Sequence, residues 1–264
     1  GGTGNGSGQT GVHWCWKAGT SFTNDASATS IGTIDSTGSF NNTSGFSIVS
    51  YTGNNTSGAT FKHGLNTTPA MVIVQNRNLT NNRDWVVYHQ KLTSASYYVY
   101  LNSSNGQAGT YSNFWNDTAP NSSVITLGSG DSGTNGSGDT YIVYCFAEKK
   151  GYSKCGSYTG NGNNDGTFVH TGFKPAWILA KNSSASTNWQ ILDNKRDTFN
   201  TADNTLYPDG NFAEGNGGDI DFLSNGFKVR NTTTDWNTSG QNIIYMAFAE
   251  APLVNSNGIP NNAR

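Results

Sequence analysis

An internal repeat of about a hundred residues constrains the fold of this chain more than any other feature. The motif SYTGN at residues 50–54 returns at residues 157–161, an offset of 107. The run IVYCFAE at 142–148 returns as IYMAFAE at 244–250, an offset of 102. Offsets that fall in small steps indicate a duplicated domain that has lost short stretches of loop. The pattern therefore predicts two homologous modules in tandem.

A third, partial copy of the repeat lies at the N-terminus. Residues 5–16 match residues 135–146, which close the first module, at an offset of 130. This segment is expected to be a strand from a preceding module, either cut from a longer chain or added to a neighbouring subunit. Residues 18–45 have no counterpart at the second junction, and their Ser, Thr, Asn and Gly content predicts a linker. The predicted organisation is a closing strand at 1–17, a linker at 18–45, β-sandwich repeats at 46–150 and 151–252, and a C-terminal tail at 253–264.

Short runs of Val, Ile, Tyr, Phe and Trp, separated by Gly, Asn and Ser, fill both modules. Seven or eight such runs in about a hundred residues are typical of a sandwich or jelly roll. Aromatic residues are 12% of the chain, enough apolar surface for a core although only 12% is charged. We predict an all-β fold of two tandem, antiparallel, jelly-roll-like sandwich modules with an extra N-terminal strand. The predicted strands are 46–52, 58–63, 70–76, 84–89, 97–102, 123–127, 140–148, 155–159, 166–170, 176–181, 188–193, 204–207, 220–223, 226–230 and 242–249.

Charge and hydropathy argue against two classes of partner. The net charge is −2 and no basic cluster occurs, so nucleic acid is not expected. No apolar run approaches the roughly 18 residues that span a bilayer, so membrane insertion is not expected. Three cysteines (Cys15, Cys145 and Cys155) are an odd number, which argues against a disulfide framework. Cys15 and Cys145 lie between aromatic residues, a pattern that predicts buried free thiols.

The repeat also argues against catalysis by the obvious candidates. His63 and His170 are equivalent but have no duplicated Ser, Cys or Asp partner, so a structural role is predicted for both. Glu148 and Glu250 end equivalent runs and are expected to cap a strand or pair with a lysine. The other acids lie in turn-like clusters and do not offer the carboxyl pair that glycoside hydrolysis needs. We predict no catalytic residues and no enzymatic activity.

Hard oxygen ligands in one loop make calcium a weak candidate. Asp131, Asn135 and Asp139 are spaced within nine residues and could contribute such oxygens. Turns rich in Asn and Asp occur far more often without metal, because these side chains bond their own backbone. We therefore predict no cofactor, with calcium as the one candidate.

Two tryptophans surrounded by polar residues are the best candidates for ligand binding. Trp115 precedes Asn116 and Asp117, and Trp236 precedes Asn237. Sugar recognition uses this combination, since a ring face stacks on C–H groups while amides and carboxylates bond hydroxyls. The alternative is that the rings close the ends of a sandwich core or stack against a neighbouring subunit.

Several separated motifs resemble a single family. They are WCWKAG at 14–19, GFSIVSYTGN at 45–54, DWVVYH at 84–89 and DFLSNGFKVR at 221–230. These residues look like the C-terminal repeats of fibre-like virion structural proteins of marine tailed phages, whose members often carry a laminin-G-like or concanavalin-like lectin region upstream. The resemblance covers nearly all of residues 5–264 and implies a virion-surface or extracellular location. It transfers no binding residues.

The predicted function is that of a non-enzymatic virion structural or adhesion protein, a tail fibre or capsid-surface fibre that contacts host glycans. Such a protein is expected to form a homo-oligomer, with a trimer favoured, beside other virion proteins. The first alternative is an extracellular fibril or surface-layer structural subunit. The second is a depolymerase that acts on surface polysaccharide.

Overall fold

The computed structural model describes residues 12–78, 84–109 and 111–250. Within them the chain forms 17 strands and two four-residue helices, α1 (Ala26–Thr29) and α2 (Ser112–Trp115). The first half contains β1 (Thr20–Asn24), β2 (Ser36–Asn41), β3 (Phe46–Thr52), β4 (Ala59–Lys62), β5 (Met71–Asn76), β6 (Val86–His89), β7 (Val99–Tyr100), β8 (Val124–Leu127) and β9 (Thr140–Phe146). The second half contains β10 (Ser153–Thr159), β11 (Phe168–His170), β12 (Pro175–Asn182), β13 (Gln190–Asp193), β14 (Ala202–Thr205), β15 (Gly215–Leu223), β16 (Gly226–Val229) and β17 (Asn242–Ala249). Every predicted run overlaps a strand, and the all-β prediction is confirmed.

The two halves share one order of strands at their centres. A seven-stranded sheet, the first inner sheet, runs β1-β2-β3-β9-β5-β6-β7. A four-stranded sheet, the second inner sheet, runs β10-β17-β12-β13, which repeats the order β3-β9-β5-β6. The first outer sheet is β4-β8 and the second outer sheet is β11-β16-β15-β14. All pairs of named strands are antiparallel.

The four sheets enclose three hydrophobic cores. Alternate residues of β17 show how the layers meet: Ile243 and Tyr245 face the second outer sheet, whereas Ile244 and Met246 face the first inner sheet. Because side chains alternate along a strand, a run that is apolar at every position is buried on both faces. The run that forms β17 has this property, whereas Ile142 and Tyr144 on one face of β9 are only half-buried.

A middle core joins the two halves. Phe46 and Met71 of the first half pack in one cluster with Trp177, Met246 and Phe248 of the second half. Backbone groups add polar links across the same boundary. Trp189 Nε1 donates to the Tyr100 carbonyl over 2.8 Å, and the Gln107 N–H donates to the Ser183 carbonyl over 2.7 Å. The halves therefore share buried surface, and their description as separate tandem modules stays a prediction.

The predicted linker at 18–45 is wrong. Within it, β1 pairs with β2, and β2 pairs with β3 over six residue pairs, which extends the first inner sheet. A segment without a counterpart in a repeat can still fold, since Thr, Ser and Asn side chains are tolerated at a partly exposed sheet edge. The prediction of a closing strand at 1–17 is wrong for the residues that the structure describes. Residues 12–16 form no strand, while residues 1–11 and the tail at 253–264 lie outside the described residues.

Candidate functional site

Trp115 and Trp236 do not form a binding surface. Trp115 is 1% exposed and packs edge-on against Tyr88, with ring centroids 6.0 Å apart. Trp236 is fully buried, and its indole Nε1 donates to the Gln190 side-chain carbonyl. The prediction that they bind a ligand is wrong, and the alternative that they fill a core is correct. The polar residues next to these tryptophans in sequence do not predict that the indole rings point into the core.

The polar neighbours of these tryptophans have structural roles or lie apart. Asn116 ends α2 in the left-handed conformation, and its Oδ1 accepts a hydrogen bond of 2.7 Å from Ser57 Oγ. Asp117 is exposed, also with a positive φ. Asn237 is fully buried. The predicted ligand-binding set therefore does not converge on one surface.

Two equivalent asparagines, Asn135 and Asn237, clasp loops in the two halves. Asn135 Oδ1 accepts from the Asn54 N–H over 2.9 Å, and its Nδ2 donates to the Gly128 carbonyl over 2.6 Å. Asn237 Oδ1 accepts from the Asn161 N–H over 2.9 Å. Both are fully buried, and both hold the Asn of the repeated SYTGN motif. The sequence contains a signal for this equivalence, because Asn135 and Asn237 lie 102 residues apart, the same offset as the runs at 142–148 and 244–250.

The rest of the SYTGN motif serves the same clasp. The hydroxyls of Tyr51 and Tyr158 donate to the carbonyls of Thr134 and Trp236, the residues directly before the clasp asparagines. The motif needs glycine at this position because the backbone of a neighbouring loop passes too close to leave room for a side chain. A Cβ on Gly53 would lie 2.4 Å from the Gly136 carbonyl oxygen. The repeated motif is therefore a structural element and not a binding site.

The calcium candidates already accept hydrogen bonds from the protein. Asp131 accepts from the Tyr111 hydroxyl over 2.7 Å and from the Gly133 N–H over 2.6 Å. Asp139 Oδ2 accepts from Asn76 Nδ2 over 2.8 Å. Over the described part of the chain, no group of three or more His, Cys, Asp and Glu could hold a metal ion.

Two of the histidines, His63 and His89, and two of the cysteines, Cys145 and Cys155, are buried. His63 Nε2 lies 3.1 Å from the Asn121 carbonyl oxygen, and burial lowers its pKa to about 4. Burial raises the pKa of the Cys145 thiol to about 12, and also raises that of Cys155. His170 and Cys15 are exposed, which makes the prediction of a buried Cys15 wrong.

Lys181 is the one fully buried lysine of the described chain. Its Nζ donates to the Asn182 and Ala185 carbonyls over 2.8 and 3.0 Å. Burial lowers its pKa to about 8. These bonds hold the loop after β12, which contacts the first half. The Lys181 amine therefore has a structural role.

An aromatic groove of about 540 Å³ opens onto the middle core between the two inner sheets. Trp85 and Tyr144 stand nearly parallel at one wall, with centroids 6.2 Å apart and an interplanar angle of 12°. Trp16 packs against Phe146 and Trp177 at 5.7 and 5.6 Å. The groove is lined by Trp14, Trp16, Ala18, Phe46, Ile48, Ile73, Trp85, Leu101, Tyr144, Phe146, Trp177, Leu179, Ile191, Pro208 and Met246.

A polar cleft of about 520 Å³ adjoins the aromatic groove, and Trp14 and Trp177 line both. The rest of its lining is Val12, His13, Ala176, Asp193, Asn194, Lys195, Arg196 and Glu250. Lys195 and Glu250 form an exposed ion pair at the rim. The Lys195 hydrogen bond and charge hold the pKa of the Glu250 carboxyl below its ordinary value.

Unpaired polar atoms occur in the wall that separates the two spaces. Trp177 is 7% exposed, and its Nε1 has no hydrogen-bond partner among the described residues. The same holds for the buried Oδ1 of Asn194 in the polar cleft. A buried donor or acceptor without a partner is uncommon and calls for an explanation.

Sequence reasoning missed both spaces. Their walls come from the N-terminal segment, β3, β5 and β9 of the first half, and β12, β13 and β17 of the second. The signal available was the cluster Trp14-Cys15-Trp16, whose aromatic side chains recur at a spacing of two residues. It was interpreted as strand and core.

The family model described as "Domain of unknown function (DUF7483)" matches residues 1–252. No curated protein and no solved structure matches the chain. In the described residues, no helix is long and apolar enough to cross a membrane.

Proposed function

Since the chain belongs to a family described as a domain of unknown function, we propose its function from its own residues: it is a non-enzymatic structural and adhesion protein of a virion surface that contacts host glycans. As a tail fibre or capsid-surface fibre, it would act as a homo-oligomer, with a trimer favoured, beside other virion proteins. The resemblance of its repeats to phage fibre proteins supports the location. The two joined spaces described above support the contact with glycans.

The observation that carries the proposal is the junction of aromatic groove and polar cleft at Trp14 and Trp177. A sugar ring has an apolar C–H face and a rim of hydroxyls, so it needs an aromatic ring beside hydrogen-bonding groups. Trp14 is half-buried and offers the aromatic ring. Asn194, Lys195 and Glu250 offer the hydrogen-bonding groups.

Charge balance in the polar cleft favours a neutral glycan. The carboxylates of Asp193 and Glu250 are paired with Arg196 and Lys195 respectively. An acidic sugar would have to displace one of these carboxylates from its cation. A neutral hexose would need only hydrogen bonds.

The same ion pairs support adhesion over hydrolysis. A glycosidase needs one carboxylic acid that stays protonated near neutral pH, which requires a raised pKa. The pKa of Glu250 is held low instead, with hydrogen bonding by Lys195 as the main cause. Asp193 accepts from Arg196 Nε over 2.7 Å, and from the backbone N–H groups of Lys195 and Arg196 over 3.0 Å each.

Trp14→Ala is expected to weaken glycan binding at least about tenfold, because truncation of a central tryptophan in an interface typically costs about 2 kcal/mol. A glycan array identifies the ligand, and titration calorimetry then compares the variants. Trp14→Phe should retain more affinity than Trp14→Ala, since a ring remains. Phe168→Ala is the matched control, because Phe168 is 43% exposed on the second outer sheet and lies outside both spaces.

Three other observations would contradict the proposed lack of enzymatic activity, the proposed assembly or the proposed location. Release of reducing ends from a host polysaccharide would favour the depolymerase alternative. Polymers that form without any viral particle would favour an extracellular fibril or surface-layer subunit. Immunogold labelling of phage particles tests the location directly, and absence of label on intact particles would contradict it.

A further inference from the structure

The face of the first inner sheet that is turned towards the second half is only partly covered. Ile48, Trp85 and Tyr144 line the aromatic groove and are half-buried. The matching face of β17 is closed, since Ile244 and Met246 are at most 3% exposed. A seven-stranded sheet is wider than the four-stranded sheet that packs on it, so part of its apolar face lacks cover. Apolar surface left open in this way indicates a binding surface.

The aromatic groove is lined by apolar and aromatic side chains alone. No lining side chain carries a charge, and hydrogen-bonding groups are limited to the hydroxyl of Tyr144 and the indole N–H groups. A sugar or an ion placed wholly inside would lose its bonds to water without replacing them. The groove therefore suits an apolar group, and its volume of about 540 Å³ is typical of a small-molecule site.

The strands that form the groove have no free sheet edge. β3, β9 and β5 each lie between two neighbours in the first inner sheet, and β17 and β12 do so in the second. Their backbone groups bond those neighbours, so a peptide in the groove would bring N–H and C=O groups that the strands cannot pair. An alkyl chain has no such groups and fits this groove better than a peptide.

The polar cleft indicates what the alkyl chain is attached to. Trp14 and Trp177 line both spaces, so a chain in the groove leads into the cleft. The carboxylates of the cleft are already paired with its cations, which favours a neutral head that bears hydroxyls over an acid or a phosphate. A sugar on an alkyl chain combines the two requirements.

We propose that the aromatic groove binds the alkyl chain of a neutral glycolipid whose sugar head lies in the polar cleft. This inference rests on the proposed function, because it takes the contact with a neutral glycan as given and adds the lipid part of the ligand. A glycan contact that is indifferent to the alkyl chain would leave the proposed function in place and remove only this inference.

The test is titration calorimetry of the full chain with the methyl, hexyl and octyl β-glucosides and β-galactosides, each below its critical micelle concentration. Burial of one CH₂ group contributes about 0.8 kcal/mol, which is about fourfold in the dissociation constant. The octyl glycoside is therefore expected to bind about 15-fold more tightly than the hexyl glycoside. Equal affinities along both series, or binding by no member of either, would overturn the proposal. The glycan array tests the proposed function separately.

Ile48→Trp tests whether the alkyl chain lies in the groove. Ile48 lines the groove and not the cleft, so an indole in its place fills the space for the chain. The variant should lower the affinity for the octyl glycoside to about that for the methyl glycoside. Val124→Trp is the matched control, since Val124 is half-buried on the first outer sheet and lies outside both spaces. If Ile48→Trp does not fold, Leu101→Trp fills the same groove from the turn after β7.

A ligand with the same chain and a different head separates a glycolipid from any other lipid. Octyl tetraethylene glycol ether lacks the sugar hydroxyls that the cleft would bond, and it should bind about tenfold more weakly than the octyl glycoside. Equal binding of the two would show that the sugar takes no part, which would contradict the glycolipid and the glycan contact together. A gain with chain length that Ile48→Trp and Val124→Trp both keep would place the alkyl chain outside the groove and also contradict the proposal.

Discussion

Asn135→Ala is expected to lower the free energy of unfolding by about 3 kcal/mol, and Asn237→Ala by a similar amount, because each removes a fully buried amide whose three hydrogen bonds to loop backbone are worth about 1 kcal/mol each. Asn135 serves the N–H of Asn54 and the carbonyls of Thr56 and Gly128. Asn237 serves the N–H of Asn161 and the carbonyls of Asn163 and Asn231. Urea denaturation followed by circular dichroism measures both changes.

The matched control for the clasps is Asn164→Ala, since Asn164 is an exposed asparagine in a loop of the second half. Surface substitutions of this kind usually change stability by less than about 0.5 kcal/mol. Clasp variants that cost no more than the control would refute the structural role assigned to the SYTGN motif. A large cost in only one half would show that the two clasps have diverged in importance.

Acid is expected to destabilise the protein as the pH falls from 6.5 towards 4. Burial lowers the pKa of both His63 and His89 from 6.5 to about 4. Between these values the unfolded chain binds a proton at each histidine that the folded chain does not. The stability due to neutral, buried histidine is therefore complete above pH 6.5 and is lost as the pH approaches 4.

Each histidine is expected to account for up to about 3 kcal/mol of this loss, since one pKa unit corresponds to about 1.4 kcal/mol. Both rings are tied in place, and His89 Nε2 lies 3.2 Å from the Tyr245 carbonyl oxygen. The measurement is the free energy of unfolding against pH for wild type, His63→Gln and His89→Gln. Carboxyl groups titrate in all three proteins, so the difference curves isolate each histidine.

His170→Gln is the control for the acid experiment, because His170 is the repeat equivalent of His63 but is exposed. Its pH profile should follow that of the wild type. A wild-type profile that is flat between pH 6.5 and 4, or His63→Gln and His89→Gln profiles as steep as that of the wild type, would show that burial does not keep these histidines neutral.

The strands were predictable because they depend on local patterns that the repeat shows twice. Val143 and Ile243 lie in runs whose apolar character is unbroken, and both runs are strands; β17 is buried on both faces, whereas Ile142 and Tyr144 on one face of β9 are half-buried. β1 and β2 were not predicted, because Thr20–Asn24 and Ser36–Asn41 are mostly polar. Pairing at a sheet edge needs little apolar surface. Local composition cannot distinguish such edge strands from a linker.

The candidate site could not be predicted, because it depends on how layers pack. Trp14 and Trp177 are 163 residues apart in sequence and meet only through the N-terminal segment and β12. Conversely, Trp115 and Trp236 have polar neighbours along the chain but apolar neighbours in space. The direction of a side chain at a helix or loop is set by tertiary contacts that sequence spacing does not encode.

The middle core has a consequence for how such a protein can change over generations. In arrays whose modules fold separately, one module can be gained or lost with little effect on its neighbours. Here loss of either half would remove one wall around Phe46, Trp177 and Met246 and expose the other to water. The two halves are therefore expected to be inherited together, and variation in copy number should occur in steps of the pair.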